Sequence, residues 1–335
     1  MNILFTCAGR RTYLLKYFKE NVDSGDKIIA TDMQLSAPAL QMADVKLQVP
    51  SVYDSKYVDV LVSICKQYTV NAIISLNDLE LPILSANKAL FKEIGVNVIV
   101  SSQNVIDICF DKYKTHKYVQ SLGLKSPITF IDLNEAKSAL ANHELHYPII
   151  LKPRWGSGSI GIEVVYDEED LDIVYHLLLK KIRRSILNNA SIEDKCILIQ
   201  EKMEGDEYGI DVMNDLEGYN VGVSVKLKLA MRAGETDKAI TKDNINVYKI
   251  GKTLGDSLRH VGNLDVDVMQ RANGDYCVLE LNPRFGGGFP FSYEAGVNFP
   301  KAIICWLKNK EFDVNELIPQ YDQMFSKNDY LMKIE

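Results

Sequence analysis

The first hundred residues alternate short apolar runs with longer segments whose apolar residues recur every three or four positions. The short runs predict strands and the longer segments predict helices. Short strands separated by helices predict a parallel sheet covered on both faces, so we expect an α/β domain over residues 1–110. The predicted strands are Ile3–Thr6, Lys27–Thr31, Val45–Val49, Ala72–Ser75 and Val96–Val100, and the predicted helices are Thr12–Asn21, Val58–Tyr68 and Leu81–Ile94.

After residue 110 the pattern changes to alternating strands, a glycine-rich hairpin and fewer helices, which predicts an α+β arrangement over residues 111–335. The segment Arg232–Lys238 is polar, so we expect a loop there, and the tail after Lys308 is also polar. Strands are predicted at Ile149–Lys152, Ile162–Tyr166, Cys196–Gln200, Tyr208–Met213, Val221–Leu229, Leu264–Val268 and from Val278 onward. Helices are predicted at Asp111–Leu122, Asp167–Ser185, Asn244–Leu258 and Phe299–Lys308.

The loop after the first strand, Cys7–Thr12, stands where a dinucleotide-binding protein carries its phosphate loop. It has one glycine and no GxGxxG pattern, and Asp32 after the second strand reads as a strand-end turn residue. The sequence therefore does not predict a dinucleotide site here. Arg10 and Arg11 in this loop either face a substrate carboxylate across a cleft or pair with surface acids.

Composition narrows the class of protein. A chain of 335 residues predicts two or three domains, and a net charge of −7 disfavours a nucleic-acid-binding surface. The six cysteines are scattered without a CxxC pair, as in a reduced protein without a zinc site. The chain opens directly on a strand and has no apolar run near 18 residues. We therefore expect a cytoplasmic protein without a membrane partner.

The run Val278–Pro290 carries the most informative chemistry in the chain. Strand alternation sends Glu280 and Asn282 to one face, and Asp267 lies in the preceding alternating run. Two adjacent strands would gather these three as hard oxygen ligands of the kind that Mg²⁺ takes when it bridges a protein to nucleotide phosphates. Arg284 then supplies a fixed cation beside them.

A second motif is the strand ending at Lys152 with the glycine-rich loop that follows it, Pro153–Gly161. Strand, glycine loop and strand predict a flexible hairpin whose backbone amides can fold over phosphates. The loop is not a P-loop, because it lacks GxxxxGK[ST] and no helix follows it directly.

In this order the motifs resemble the ATP-grasp superfamily, and within it the synthetase units of carbamoyl-phosphate synthase large subunits, from Asn2 to about Leu307. The resemblance implies a Rossmann-like pre-ATP-grasp domain over residues 1–110 and an ATP-grasp domain over residues 111–335. It places a mobile lid subdomain at about residues 126–199 and a catalytic subdomain at about residues 200–335. It implies that Mg·ATP phosphorylates a carboxylate and that an amine, or a thiol, displaces the phosphate.

The resemblance also assigns residues. Lys152 and Arg284 resemble the residues beside the transferred phosphoryl group. Asp267, Glu280 and Asn282 resemble ligands of Mg²⁺, for which Mn²⁺ can substitute. The residues that resemble the ATP-binding set are Lys112, Lys152, Gly156, Ser157, Gly158, Ser159, Gly161, Glu201, Lys202, Met203 and Glu207. Outside this context Lys112 would read as an exposed helix lysine and Met203 as ordinary core.

The substrate side departs from some amino-acid ligases, which carry an arginine two residues before the first metal ligand, where this chain has Asp265. A cation for the acyl group could come from Arg232 or Arg284. The residues predicted to contact the substrate are Arg10, Arg11, Arg232, Gly286 and Gly287. No glutaminase module and no second synthetase half are visible, which disfavours glutamine-fed carbamoyl-phosphate synthesis by this chain alone.

These features favour a carboxylate–amine ligase that acts on a small-molecule carboxylate and an amine. Two alternatives stay open: a nucleotide-binding regulator without turnover, and a kinase that stops at the phosphorylated product. A homodimer is compatible with the sequence, which does not determine the oligomeric state.

Overall fold

The computed structural model describes residues 1–156, 161–185 and 195–334, which form three β-sheets with helices packed against them. The first sheet is parallel, and the other two are mainly antiparallel. The expected fold class, an α/β domain followed by an α+β part, is confirmed. Across this described portion, no helix is long and apolar enough to cross a membrane.

The N-terminal sheet has five parallel strands in the order β3-β2-β1-β4-β5. Its strands β1, β2 and β4 are mostly apolar and buried because helices cover both faces, whereas the edge strand β3 is partly exposed. The strands are β1 (Asn2–Thr6), β2 (Lys27–Asp32), β3 (Val45–Gln48), β4 (Ala72–Ser75) and β5 (Asn97–Ile99). The helices are α1 (Thr12–Lys19), α2 (Tyr57–Gln67), α3 (Leu81–Ala86), α4 (Lys88–Glu93) and α5 (Gln103–Phe110), with a 3₁₀ helix at Pro38–Met42.

The second sheet has four strands in the order β6-β9-β7-β8, and the glycine-rich loop joins β7 to β8. Its strands are β6 (Thr129–Phe130), β7 (Ile149–Pro153), β8 (Glu163–Val165) and β9 (Ile197–Glu201). Helices α6 (Lys112–Ser121), α7 (Leu133–Ala141) and α8 (Glu168–Arg183) belong to this part of the chain. Leu171, Tyr175, Leu178 and Ile182 form the apolar face of α8 and pack into the same core as β7 and β9.

The third sheet has six strands in the order β14-β13-β10-β11-β12-β15. Its strands are β10 (Glu207–Asn214), β11 (Asn220–Arg232), β12 (Glu235–Thr241), β13 (Gly262–Gln270), β14 (Tyr276–Asn282) and β15 (Met324–Ser326). Its helices are α9 (Ile245–Leu258), α10 (Phe289–Glu294) and α11 (Phe299–Leu307), with a 3₁₀ helix at Val314–Leu317. Helix α9 covers one face of this sheet, and the other face borders the cleft described below.

An aromatic cluster joins the N-terminal sheet to the loop and helix that follow β14. Phe18 of α1 packs edge-on against Phe285, with ring centroids 6.1 Å apart. Tyr17 stacks on Tyr293 of α10 at a centroid distance of 3.6 Å. Such packed rings resist relative movement. The carboxyl ends of β1 and β4 are therefore fixed next to the segment that follows Arg284.

Two local predictions were wrong. The helix predicted over Leu81–Ile94 is two helices, because the Asn87 side chain donates to the Ile83 carbonyl at 2.8 Å and its backbone leaves the helical region. The loop predicted over Arg232–Lys238 is mostly strand: β11 and β12 meet at a tight turn where Ala233 and Gly234 have φ of 50° and 78°. The polar tail contains β15, a strand for which no prediction was made and which pairs with β12.

Candidate active site

A cleft of about 660 Å³ lies between the second and third sheets and reaches the carboxyl ends of the N-terminal strands. Its lining contains both apolar and charged side chains. The residues singled out from sequence that line it are Arg11, Lys152, Glu201, Met203, Glu207, Asp265, Asp267, Glu280, Asn282, Arg284 and Gly287. One concave space therefore collects residues from three separate parts of the chain.

The carboxylates predicted to hold a metal lie on adjacent antiparallel strands. Asp267 of β13 is the direct cross-strand partner of Glu280 on β14, and Asp265 is the partner of Asn282. Directly opposed residues of an antiparallel pair lie on the same face of the sheet, so both side chains face the cleft. The alternation inferred from sequence thus corresponds to the observed register.

Two lysines balance these carboxylates. Lys228 of β11 contacts Asp267 at 2.5 Å and Glu207 at 2.6 Å, and it is almost fully buried. These two carboxylates outweigh the effect of burial and raise the pKa of Lys228, so its ammonium is permanently charged. Lys112 at the start of α6 lies 3.3 Å from Glu280. Lys112 was predicted from the sequence as an ATP-binding residue, whereas Lys228 was not predicted as part of the site.

The donor set fits a divalent cation. Among the described residues, no three histidine, cysteine, aspartate or glutamate side chains form a cluster that could hold a metal ion. The side chains on this sheet face that offer oxygen atoms are the Asp267 and Glu280 carboxylates and the Asn282 amide. Mg²⁺ typically takes only one or two protein carboxylates and completes its shell with phosphate oxygens and water. Asp267 and Glu280 meet that requirement.

Lys152 is the penultimate residue of β7 and lines the cleft without a hydrogen bond or ion pair to any described residue. Burial and nearby Lys112 outweigh the opposite effect of Glu280 and Asp267 and lower the pKa of Lys152 to about 8. A partly buried ammonium without a direct counter-ion is costly, so this position favours an anionic ligand. Phosphate oxygens would supply the missing charge.

A tight polar junction fixes Lys112 next to the glycine-rich loop. Asp111 caps α6, accepting from the backbone N–H of Tyr113 at 3.0 Å, and it also accepts two hydrogen bonds from Arg154, each of 2.7 Å. The guanidinium of Arg154 lies 4.8 Å from the ring centroid of Trp155. Lys112 in turn donates to the Gly156 carbonyl. The base of the loop and the first turn of α6 therefore hold each other in place.

The glycine-rich loop itself is only partly described. Gly156 and Gly161 have φ of 108° and 73°, which favours glycine at both positions. A Cβ atom on Gly161 would lie 3.1 Å from Pro153, so this end of the loop is tightly packed. The predicted phosphate contacts Ser157, Gly158 and Ser159 lie outside the described residues.

Part of the cleft lining is apolar and comes from both sheets. Four such residues are Ile150 of β7, Met203 after β9, Met269 of β13 and Leu279 of β14, and we call these four the apolar slot. Met203 was anticipated from sequence; the other three were missed because each is ordinary strand core by pattern. An aromatic ring fits between such side chains, and thioethers adapt to its shape.

The remaining ATP-binding candidates lie around this slot in different ways. Glu201 lines the cleft and accepts from Arg271 at 2.6 Å, and its backbone pairs with Ile128. Lys202 is turned toward Glu204, 2.7 Å away, so its side chain is not among those that line the cleft. Glu207 lines the cleft beside Lys228.

Arg284 lies between the N-terminal and C-terminal parts of the molecule. Its guanidinium donates to Asp78 at 2.9 Å and to Asp265 at 3.4 Å. These carboxylates raise the pKa of Arg284 despite its burial. Burial and neighbouring Asp267 raise the pKa of Asp265 to about 6, although Arg284 lowers it. Arg284 therefore lines the cleft with one carboxylate partner, Asp78, from the N-terminal part of the chain and another, Asp265, from the third sheet.

The predicted substrate residues divide into two groups. Arg11 and Gly287 line the cleft, and Gly286 lies directly behind it against the Asp265 carboxylate. Arg10 is exposed and does not line the cleft. Arg232 pairs with Asp237 at 3.0 Å and with Asp329 and is also absent from the lining. The structure does not bring Arg10 or Arg232 to the other candidates.

The cleft between the two sheets therefore combines lysines, a pair of opposed carboxylates and apolar side chains. The family profile described as an ATP-grasp domain matches residues 109–288, more than half of the 335 residues. The chain therefore belongs to the ATP-grasp family. A profile described as the PylC-like N-terminal domain matches residues 3–99, which span the parallel sheet.

Curated relatives include two large chains. The chain is 26% identical over 247 residues to the carbamoyl phosphate synthase large chain of Xylella fastidiosa strain 9a5c, covering 68% of this chain and 22% of the relative. It is 25% identical over 249 residues to the same protein of Vibrio cholerae, covering 68% of this chain and 21% of the relative. The chain spans about a fifth of the length of these relatives.

Solved structures share the fold at low identity. A biotin carboxylase complex from Campylobacter jejuni matches with a TM-score of 0.74 and 18% identity, covering 96% of this chain and 74% of that chain. An L-amino acid ligase from Bacillus licheniformis matches with a TM-score of 0.67 and 18% identity, covering 95% and 77%. At this identity the matches establish the fold alone.

Proposed function

We propose that the chain is an ATP- and Mg²⁺-dependent ligase that joins a small carboxylate to an amine, or to a thiol, through an acyl phosphate. ADP and phosphate are the other products. The observation that carries this proposal is the single cleft shared by Lys152, the Asp267–Glu280 pair and Arg284. Nucleotide binding alone does not need two opposed carboxylates and an arginine at the phosphate end.

The nucleotide has a natural orientation in this cleft. Its adenine occupies the apolar slot at Met203, and Glu207 lies where ribose hydroxyls would donate to a carboxylate. Lys152 and Lys112 then meet the phosphates as compact point charges, which suits mobile phosphate oxygens. This orientation directs the terminal phosphate toward Arg284.

Asp267, Glu280 and Asn282 would hold Mg²⁺ between the protein and the phosphates. The ion supplies positive charge that neutralises the phosphate oxygens during transfer. Lys228 contacts Asp267 and Lys112 contacts Glu280, so both carboxylates are held in place by a lysine. These lysines also limit the cost of holding two carboxylates in a partly buried space.

The chain contributes position and charge to the reaction. Arg284 is placed to bind the carboxylate oxygens of the acyl substrate next to the terminal phosphate, where a planar fork of donors is effective. The carboxylate attacks that phosphate and ADP leaves; the amine then attacks the acyl carbon and expels phosphate. No cysteine or histidine is present in the described lining, which agrees with direct transfer between substrates.

The proposed activity is supported by membership of the ATP-grasp family and by similarity to curated relatives named as carbamoyl phosphate synthase large chains. The test is a screen for ADP release by the purified chain with Mg·ATP and pools of small carboxylates, each with and without a pool of amines. We expect release that requires a carboxylate and rises with an amine. Release with a carboxylate alone, leaving a stable phosphorylated product, would indicate a kinase, and tight nucleotide binding without any release would indicate a regulator.

Lys152 gives the proposal a pH dependence. Its pKa of about 8 means that the ammonium loses its proton in the free protein at mildly alkaline pH, whereas bound phosphates favour the charged form. Affinity for a nonhydrolysable ATP analogue with Mg²⁺ should therefore fall by up to about tenfold per pH unit above pH 8. Calorimetry in buffers of different ionisation enthalpy should detect proton uptake on binding at pH 8 to 9.

The matched control is Lys152→Arg, which stays charged across this range. Its affinity should be flat between pH 7 and pH 9. An equal fall in both proteins would show that another group titrates and that Lys152 does not contact phosphate.

A further inference from the structure

Two charged side chains that line the cleft have no part in the proposed binding of ATP and Mg²⁺. They are Arg11 of the N-terminal loop and Glu235 at the start of β12, and the glycines after Arg284 line the cleft with them. We call this part of the lining the junction subsite, defined by Arg11, Glu235, Gly287 and Gly288. All four line the cleft on the side of the N-terminal sheet.

Arg11 is held in place without a counter-ion. Its guanidinium donates to the Tyr13 hydroxyl at 3.0 Å, and that hydroxyl lies 3.5 Å from the Gly286 carbonyl. In the described part of the chain, no carboxylate forms an ion pair with Arg11. The other nearby cations are matched: Arg284 pairs with Asp78 and Asp265. Arg11 therefore presents a half-buried positive charge to the cleft, and no carboxylate is in direct contact with it among the described residues.

Glu235 presents the opposite charge on the other side of the same loop. Its side chain lies against Gly287, where an added Cβ atom would be 3.0 Å from the Glu235 carboxyl carbon. Oε2 accepts from Lys327 at 3.3 Å, and the side chain is still 53% exposed, which leaves the other oxygen available. Arg11 is the cation that most strongly lowers the pKa of Glu235, against the effect of burial, so the two groups are close without being paired.

A separated cation and anion that flank adjacent residues of one loop suit a ligand with both charges close together. Resting on the proposed ligase activity, we infer that the junction subsite binds an α-amino acid as one of the two substrates, with its carboxylate on Arg11 and its ammonium on Glu235. A simple carboxylate would bind Arg11 but would make no contact with Glu235. A simple amine would bind Glu235 but would make no contact with Arg11.

The glycine loop packs tightly against the protein beside these charges. A Cβ atom on Gly288 would lie 2.7 Å from the Lys226 side chain, and one on Gly287 would lie 3.0 Å from the Glu235 carboxyl carbon. The backbone can lie this close to both side chains only because the two residues are glycines.

The experiment measures ADP release with Mg·ATP and each of the twenty common L-amino acids, alone and in pairs. The amino acids that respond are then compared with their des-amino acids and their decarboxylated amines. We expect at least one amino acid to respond, with both truncated analogues reduced by about tenfold or more. If truncated analogues respond equally, or no amino acid responds while simple carboxylates do, the inference is overturned and the ligase proposal stands.

Two variants locate the effect. Glu235→Gln and Arg11→Gln should each raise the KM for the amino acid by about tenfold with a smaller change in kcat, and Glu235→Gln should not change the response to the des-amino acid. Arg10→Gln, an exposed neighbour outside the cleft, should behave as wild type. Thermal unfolding and binding of an ATP analogue confirm that the variants are folded. Unchanged KM in both variants would refute the subsite, whereas failure of the wild type to bind Mg·ATP would refute the ligase proposal itself.

Discussion

Replacing Glu280 with glutamine should leave the fold intact and lower the rate of ADP formation by about a thousandfold or more. The substitution keeps the shape of the side chain but removes one of the two opposed carboxylates of the proposed Mg²⁺ site. It also leaves Lys112 without its partner at 3.3 Å. Because Lys112 keeps its hydrogen bond to the Gly156 carbonyl, folding should be little affected. Steady-state ADP release and thermal unfolding measure the two effects separately.

Glu316→Gln is the matched control for Glu280→Gln. Glu316 is also a glutamate with one lysine partner, Lys301 at 2.7 Å, but it lies outside the cleft. Its loss should leave ADP release within about twofold of wild type, since exposed ion pairs contribute little. Wild-type turnover in Glu280→Gln would contradict the metal assignment, and an equal loss in both variants would indicate a general effect of charge.

The largest expected effect on stability is at Lys226, a fully buried lysine of β11. Its ammonium contacts Asp211 of β10, which also accepts from Ser292 at 2.6 Å and from Asn263 at 3.1 Å. Lys226→Met would leave the Asp211 carboxylate buried without a counter-ion. We expect the free energy of unfolding to fall by about 3–5 kcal/mol, measured by urea denaturation.

The double variant Lys226→Met with Asp211→Asn tests the cause. Removing both charges leaves neutral groups that Ser292 and Asn263 can still bond, so at least half of the lost stability should return. If the double variant is as unstable as Lys226→Met alone, loss of packing explains the effect better than an unpaired charge. The pair also lies under Gly288, so it supports the floor of the junction subsite.

Local sequence rules predicted those parts of the site that lie on a single strand. Alternation along β14 places Glu280 and Asn282 on one face, and the observed register sets Asp267 opposite Glu280. The strands of the N-terminal sheet were predicted close to their observed positions along the chain because each is bounded by turn residues. Here the local pattern and the tertiary environment agree.

The sequence did not predict contacts made by strands that are distant along the chain. Lys228 meets Asp267 only because β10 pairs with both β11 and β13. Met269 reads as core and becomes part of the slot because the second sheet lies above it. Glu235 was placed in a polar loop, since nothing local shows that β15 completes the sheet beside β12. Each of these depends on pairing that local periodicity does not encode.

Domain boundaries and lid movement were likewise inferred by resemblance. The boundary proposed at residue 110 falls between α5 and α6, where the Asp111–Arg154 junction begins. We propose that the second sheet moves as the lid over the nucleotide, with this junction near its hinge.

The most direct measurement follows the oxygen atoms of the carboxylate substrate. A carboxylate that scores in the screen is labelled with ¹⁸O and turned over with Mg·ATP and the amine, and the released phosphate is analysed by mass spectrometry. An acyl phosphate transfers one carboxylate oxygen to phosphate when the amine attacks the acyl carbon, so we expect one ¹⁸O atom per phosphate formed. Unlabelled phosphate would mean that ATP is hydrolysed by water without activating the carboxylate, and it would contradict the proposed ligase mechanism.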